Sequence, residues 1–258
     1  MPGNFLEVRN VSVRFGGLTA VNDFSMRVEQ GTIHALIGPN GAGKSTTFNC
    51  ISRYYRPTSG KIVFDGRDIT GLQPHEVAGL GIARTFQNLE LFNDLTVMEN
   101  VLLGTHARTV KTIPSFLSRP RPETVEFAEA LLESLGLIRY RDTKAGSLDF
   151  GHQKFLELAR ASAVQPKLLL LDEPAAGLRN REIDTLDETL RGFVEQQGMT
   201  IVLVEHVMRL VMAISDHVTV LSFGQKIAEG APAEVRDDPG VIEAYLGVEH
   251  TEDGGLHD

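Results

Sequence analysis

The chain has 258 residues, of which 42% are hydrophobic and 23% charged, a composition typical of a globular protein with a full core. No run approaches the roughly 18 apolar residues that span a bilayer, and the first residues do not resemble a signal peptide, so we expect a cytosolic protein. A net charge of −9 argues against nucleic acid as the main partner, and a single cysteine, Cys50, excludes an internal disulfide or a cysteine-built zinc site.

The first 65 residues are rich in β-branched and aromatic residues with partial alternation, which predicts strands over 5–8, 11–15 and 24–28. A further strand is predicted over Lys61–Phe64, and Asp65-Gly66 after it is typical of a tight turn. This part of the chain is therefore predicted to be β-rich.

A glycine-rich segment matches the pattern G-x-x-x-x-G-K-[ST] between a short apolar strand over 33–37 and a helix predicted over 46–55. Its members are Gly38, Pro39, Asn40, Gly41, Ala42, Gly43, Lys44, Ser45 and Thr46. Glycines let backbone N–H groups converge on phosphates, and the start of the helix adds its positive dipole end. We therefore expect nucleotide binding here, with Lys44 on the β- and γ-phosphates and Ser45 on Mg²⁺.

The middle of the chain changes to helical character. Thr96-x-x-Glu99 has the form of a capping box that opens a helix over 97–103. Residues 111–122 contain three prolines and are predicted as a loop, and a helix over 123–135 is predicted to end at Gly136. This section reads as a helical insert.

The last hundred residues alternate between helices and strands. A helix is predicted to end at Val164, followed by a strand over 168–171, a helix over 182–196 and a strand over 200–204. Such alternation implies parallel strands covered by helices, the arrangement of an α/β nucleotide-binding core.

Polar residues follow two of these strands. Asp172 and Glu173 end the apolar run that begins at Leu168, and Glu205-His206 ends the next strand. Residues at the carboxyl ends of parallel strands line the ligand crevice, so Asp172 is a candidate Mg²⁺ ligand and Glu173 a candidate to polarise the attacking water. His206 could donate a hydrogen bond to the γ-phosphate. Phe15 and Gln87 are two further candidates, but taken alone neither residue indicates a role in nucleotide binding.

Taken in order, these segments resemble an ABC-type ATPase, the nucleotide-binding subunit of ATP-driven transporters. The matching segments are Phe15, 38–46, Gln87, 147–154, 168–173, 175–179 and His206. The resemblance implies adenine stacking on Phe15, Mg²⁺ and water contact by Gln87, and two subunits closing head-to-tail around two ATP molecules. It also implies an α/β fold: a RecA-like P-loop core with an N-terminal antiparallel β-subdomain and an inserted helical subdomain. We expect a single ABC domain, with residues 1–87 and 161–258 in the core and 88–160 in the helical subdomain.

A finer resemblance is to the ATP-binding subunits of branched-chain amino acid importers. It is carried by Phe15-Gly-Gly-Leu-Thr-Ala-Val, by the segment from Gly81 to Phe92, by Glu173-Pro-Ala-Ala-Gly-Leu and by the C-terminal Val241-Ile-Glu-Ala-Tyr-Leu-Gly. This implies a second, different ATP-binding subunit, membrane-spanning permease subunits, a periplasmic solute-binding protein, and a place on the cytoplasmic face of the inner membrane. The apolar Leu89, Leu91 and Phe92 either receive a permease helix or pack within their own subdomain.

Two positions depart from the family pattern. The signature, usually Leu-Ser-Gly-Gly-Gln, is here Leu148-Asp149-Phe150-Gly151-His152-Gln153, so Asp149 stands where a serine faces the partner's γ-phosphate. Gly151 keeps its expected identity, and Arg179 stands where aspartate is usual. Two alternatives remain open: a soluble ABC ATPase that is not coupled to transport, and a non-catalytic ATP-sensing subunit, which the altered signature suggests.

Overall fold

The computed structural model describes residues 4–85, 89–109 and 120–252. Its strands are β1 Asn4–Phe15, β2 Leu18–Glu29, β3 Ile33–Ile37, β4 Ser59–Phe64, β5 Arg67–Asp68, β6 Ile82–Arg84, β7 Leu168–Asp172, β8 Thr200–Val204, β9 His217–Ser222 and β10 Gln225–Gly230. Its helices are α1 Lys44–Ile51, α2 Pro74–Gly79, α3 Val97–Thr109, α4 Pro122–Ser134, α5 Phe150–Ala163, α6 Asn180–Gln197, α7 Met208–Ile214, α8 Pro232–Arg236 and α9 Pro239–Glu252. The chain divides into two compact units, residues 1–80 with 200–258 and residues 81–199.

The first unit contains an antiparallel sheet in the order β2-β1-β4-β5, as the N-terminal composition predicts. The separate strands predicted over 5–8 and 11–15 are one strand, β1. Its pairing with β2 is irregular between Val8 and Val11, where Asn10 takes a left-handed φ of 50°. This local irregularity makes one long strand look like two in the sequence pattern.

The same unit contains the strands β10, β9, β3 and β8, which lie side by side in that order. β3 pairs in parallel with both β8 and β9, and every residue of β3 and β8 is buried. Buried parallel strands are continuous apolar runs, which is why β3 and β8 could be predicted from the sequence. The helix predicted over 46–55 begins two residues earlier and ends at Ile51, because Arg53 adopts a left-handed φ of 65° that a helix cannot continue through.

The second unit pairs β6 and β7 in parallel and carries the helices α3 to α6. The predicted capping box is confirmed: Glu99 N–H donates to Thr96 Oγ1 at 3.1 Å, and Thr96 N–H donates to Glu99 Oε2 at 2.7 Å. Gly136 follows α4 with a φ of 68°, the left-handed conformation that ends helices. Most of the loop predicted over 111–122 lies outside the described residues.

Among residues 4–85, 89–109 and 120–252, no helix has the length and apolar character needed to cross a bilayer.

Candidate nucleotide-binding site

The glycine-rich segment lies in the first unit as a tight loop between β3 and α1. Gly38 has a φ of 149°, and a Cβ there would lie 2.0 Å from the Leu221 carbonyl oxygen. Gly43, at a φ of 102°, would bring a Cβ within 2.6 Å of the Ala20 carbonyl oxygen. Only glycine fits both positions, since any side chain would collide with backbone.

Lys44 is the first residue of α1, and its side chain is turned back over the loop. Its Nζ donates to the carbonyl oxygens of Gly38 at 2.6 Å and of Pro39 at 2.9 Å. Lys44 is buried, whereas Asn40 and Ser45 are exposed and Thr46 is half-buried. The ammonium group is therefore held above the loop at the N-terminal end of a helix, where an anion is favoured.

The turn between β9 and β10 supports this loop from outside it. Gly224 N–H donates to the Ala42 carbonyl at 2.9 Å, and Asn22 N–H donates to the Gly224 carbonyl at 2.8 Å. The loop conformation thus depends on residues about 180 positions further along the chain, which the sequence motif does not reveal.

Phe15, the predicted adenine platform, ends β1 in the first unit. The residue is 47% exposed, and its ring packs in a T-shaped arrangement with the Tyr55 ring, with centroids 5.3 Å apart and an interplanar angle of 73°. An aromatic ring that stays this exposed presents a face on which a base can stack. The contact between Phe15 and Tyr55 was not predicted from the sequence.

His206 follows β8 and is exposed, while its neighbour Glu205 is buried. Glu205 Oε2 accepts hydrogen bonds from the backbone N–H groups of His206 at 3.0 Å and Val207 at 3.1 Å. This carboxylate fixes the backbone from which the His206 side chain projects. An acidic residue directly after a buried strand is a sequence pattern that could have predicted this role of Glu205.

In the second unit, Asp172 is the last residue of β7 and its side chain is 5% exposed. Its Oδ2 accepts a hydrogen bond from Arg84 Nη2 at 2.8 Å, and the Arg84 side chain is 8% exposed. Asp172 thus carries a buried ion pair that the sequence did not predict, because the three-residue strand bearing Arg84 was not recognised.

Glu173 follows Asp172 directly and has a φ of 50°, a left-handed conformation that costs a residue with a side chain about 1 kcal/mol or more. Its carbonyl oxygen accepts from Ala176 N–H at 3.2 Å and from Lys154 Nζ at 3.4 Å. These contacts hold the turn after β7, in which the Glu173 side chain is half-buried.

Within the second unit, the altered signature at residues 148–153 packs against the loop that follows β7. A Cβ on Gly177 would lie 2.7 Å from the Phe150 ring, and one on Gly151 would lie 2.5 Å from Glu182 Oε1. Glu182 in turn accepts the Arg179 backbone N–H at 2.6 Å at the start of α6. The two segments that depart from the family pattern are therefore packed against each other.

Asp149 is the N-cap of α5, since its Oδ1 accepts the His152 N–H at 2.9 Å. This backbone hydrogen bond, with smaller contributions from the His152 side chain and from Arg179, holds the pKa of Asp149 below its usual value. The side chain is 67% exposed and stays ionised near neutral pH. An Asp before an amphipathic helix is a recognised N-cap signal that the sequence offered.

The other predicted ligand, Gln87, lies outside the described residues. No group of three or more His, Cys, Asp or Glu able to hold a metal lies in the described part of the chain. Mg²⁺ in nucleotide sites keeps waters and phosphate oxygens and takes only one or two protein oxygens, so a carboxylate and a hydroxyl such as those of Asp172 and Ser45 are a chemically suitable donor set.

Comparison with known proteins identifies the family. A profile described as "ABC transporter" matches residues 21–176, and one described as "Branched-chain amino acid ATP-binding cassette transporter" matches residues 225–251. The chain belongs to the ABC transporter family. This cassette is 44% identical over 250 residues to the high-affinity branched-chain amino acid transport ATP-binding protein BraF of Pseudomonas aeruginosa, covering 94% of this chain and 97% of BraF. It is 42% identical over 250 residues to the LivG protein of the same description from Escherichia coli, with the same coverage.

Solved structures give the same result. The ADP conformation of MJ1267, an ATP-binding cassette of an ABC transporter, superposes with a TM-score of 0.84 at 34% identity, covering 95% of this chain and 99% of that one. A nucleotide-free ATP-binding cassette from an ABC transporter gives 0.83 at 33% identity, covering 94% and 99%. The predicted family and fold are confirmed. The cassette is a nucleotide-binding ATPase subunit of an ABC transporter.

Proposed function

We propose that this cassette drives import of branched-chain amino acids by binding and hydrolysing ATP at the cytoplasmic face of the inner membrane. The observation that carries the proposal is the identity of more than 40% to BraF and LivG over nearly the whole of each chain. The likeness is not confined to the phosphate loop but extends through the C-terminal strands and helices, which a general ATPase motif would not require.

In this proposal the phosphate loop cradles the nucleotide while Lys44 leaves the Gly38 and Pro39 carbonyls to contact the β- and γ-phosphates. Ser45, Asp172 and Gln87 would hold Mg²⁺, which neutralises phosphate charge when bound. Glu173 orients and polarises the attacking water, and His206 donates to the γ-phosphate from a backbone fixed by Glu205. Phe15 stacks on adenine.

The proposed partners are a second, different ATP-binding subunit, membrane-spanning permease subunits and a periplasmic solute-binding protein. Asp149 and Gly151 would face the nucleotide held by the second subunit. In this proposal residues 1–87 and 161–258 form the core, and residues 88–160 form the helical subdomain.

An open cavity of about 370 Å³ in the second unit supports the proposed docking of a permease helix. It is lined by Ala83, Arg84, Phe92, Leu103, Gly104, Glu157, Arg160, Ala161 and Val164. Phe92 is 52% exposed there, with the Arg160 guanidinium 5.5 Å from its ring centroid. An exposed aromatic at an apolar recess is a typical anchor for a partner segment.

The test compares Glu173→Gln with Glu188→Gln, which makes the same chemical change at an exposed position of α6. Each variant is assembled with its permease in liposomes, and ATP hydrolysis and labelled leucine uptake are measured together. Glu173→Gln should bind ATP but lose about 10²-fold or more in hydrolysis along with uptake, because the water loses its general base. Unchanged hydrolysis would refute the role of Glu173. If leucine and its binding protein do not stimulate hydrolysis, the proposal that branched-chain amino acids are the transported solutes is refuted.

A further inference from the structure

Lys154 is a buried lysine whose ammonium group reaches the backbone of Glu173. It lies in the second turn of α5, is 7% exposed, and its Nζ donates to the Glu173 carbonyl oxygen at 3.4 Å. The ring of Phe150, one turn earlier on the helix, has its centroid 6.0 Å from the same Nζ. A buried charge is costly unless it has close polar partners, so the position of Lys154 indicates a role for its charge.

The surroundings of Lys154 leave little room for water. Lys154 lines a cavity of about 10 Å³ with apolar groups such as Leu158 and Leu171, and this volume is about the least that holds one water molecule. Glu157, one turn further along α5, is also buried and lines the same cavity, so the cavity carries one charge of each sign. The hydrogen bond from the ammonium to the Glu173 carbonyl is therefore not easily replaced by solvent.

Glu173 adopts a backbone conformation that its own residue type and its neighbour both disfavour. Its φ of 50° lies in the left-handed region, which residues with a side chain rarely adopt. It also precedes Pro174, and a proline favours extended conformations in the residue before it. Such a conformation persists only where surrounding contacts enforce it, so the turn at Glu173 depends on its contacts and not on local preference.

Two donors converge on the Glu173 carbonyl oxygen and supply such contacts. Ala176 N–H, from the turn itself, donates at 3.2 Å, and Lys154 Nζ, from α5, donates at 3.4 Å. The carbonyl carbon and Cβ of Glu173 are bonded to the same Cα, so a fixed carbonyl also fixes the direction in which the side chain leaves the backbone. Lys154 is the donor that lies outside the turn, and it therefore ties the orientation of Glu173 to the helix α5.

We propose that Lys154 is a positioning residue for Glu173: its ammonium holds the Glu173 carbonyl, and thereby the carboxylate, in the orientation that polarises the attacking water. The inference rests on the proposed function, since it starts from the role given there to Glu173. It adds a residue that acts through the backbone of Glu173 and not on the nucleotide itself. A displacement of about 1 Å at a catalytic group can cost about 10²-fold in rate, so the loss of this contact should be visible in turnover.

The first experiment compares Lys154→Met, which has a similar length but no ammonium, with Lys61→Met, the same change at an exposed position of β4. Each variant is assembled with its permease in liposomes, and hydrolysis is followed over a range of ATP concentrations. Lys154→Met should lower kcat about tenfold or more, while the KM for ATP stays within about twofold because the phosphate loop is intact. Lys61→Met should match the wild type. An unchanged kcat in Lys154→Met, or a loss that lies mainly in KM, overturns the proposal.

The second experiment separates positioning from a general structural role by repeating Lys154→Met in the Glu173→Gln background. If Lys154 acts through the Glu173 carboxylate, Lys154→Met should change the residual hydrolysis of Glu173→Gln by less than about twofold, since the group that it positions is already lost. A structural role would lower hydrolysis by the same factor in both backgrounds, and that result overturns the proposal.

A second variant covers the case in which Lys154→Met does not assemble with the permease. Lys154→Gln, which keeps an uncharged donor, then replaces it in both experiments, with the same expected split and the same results overturning the proposal. If Glu173→Gln alone leaves hydrolysis unchanged, the role of Glu173 in the proposed function fails, a result distinct from those that concern Lys154.

Discussion

A buried histidine in β3, the strand that leads into the phosphate loop, makes the stability of the cassette depend on pH. His34 lies in β3 with 1% of its surface exposed, and its Nε2 is 2.8 Å from Thr219 Oγ1. Burial first, and then the nearby charges of His217 and Lys226, lower the pKa of His34 from 6.5 to about 3. The folded state keeps this ring neutral at pH values where the unfolded chain protonates it, so stability is retained above about pH 6.5 and falls as the pH drops toward 3.

The expected loss at about pH 5.5, relative to about pH 8, is about 1.4 kcal/mol, because the unfolded histidine is then one unit below its pKa. We would measure it by urea unfolding of the wild type and of His34→Gln, whose amide can still reach Thr219. The pH-induced loss should be about 1.4 kcal/mol smaller in His34→Gln, since the other titrating groups cancel in the comparison. His217→Gln, which changes the ring stacked on His34 with centroids 5.9 Å apart, is the control and should keep most of the loss. An identical pH dependence in the wild type and His34→Gln would refute this reasoning.

Two further predictions concern the nucleotide. Lys44→Ala should abolish ATP affinity in a calorimetric titration, because it removes the cation held over the loop; near-native binding would contradict the assigned phosphate site. The purified chain should be mainly monomeric with ATP and Mg²⁺, and Asp149→Ser should strengthen ATP-dependent self-association, because serine can still cap α5 but removes a charge that, in the proposed function, faces the nucleotide of the second subunit. Sedimentation of Glu173→Gln with and without Asp149→Ser tests this, and equal association would show that Asp149 does not oppose closure.

The sequence predicts well those parts of the molecule that local patterning determines. β3 and β8 have the predicted bounds because buried parallel strands leave uninterrupted apolar runs. The capping box at Thr96 and Glu99 and the left-handed turn at Asp65-Gly66, with φ values of 49° and 75°, depend on residues at most three apart. Such features require no knowledge of the rest of the chain.

Features that depend on distant contacts were missed. The sequence around Arg84 does not indicate that its partner is Asp172, 88 positions later. The short strands and helices after His206 were not predicted, although Leu221 and Gly224 shape the phosphate loop. Asp149 was interpreted only through the resemblance, as a disturbed contact to a partner, while its hydrogen bond to His152 gives it a local role in the helix start as well.

The β9–β10 turn has a practical consequence for anyone who modifies this protein. Phe223, at its tip, is 90% exposed, which makes the position look like a harmless site for a tag, a fluorophore or a permuted terminus. The next residue, Gly224, is bonded on one side to Ala42 and on the other to Asn22. An inserted peptide would pull directly on the loop that grips the phosphates, so labels are better attached to the outward face of α6, at a position such as Glu188.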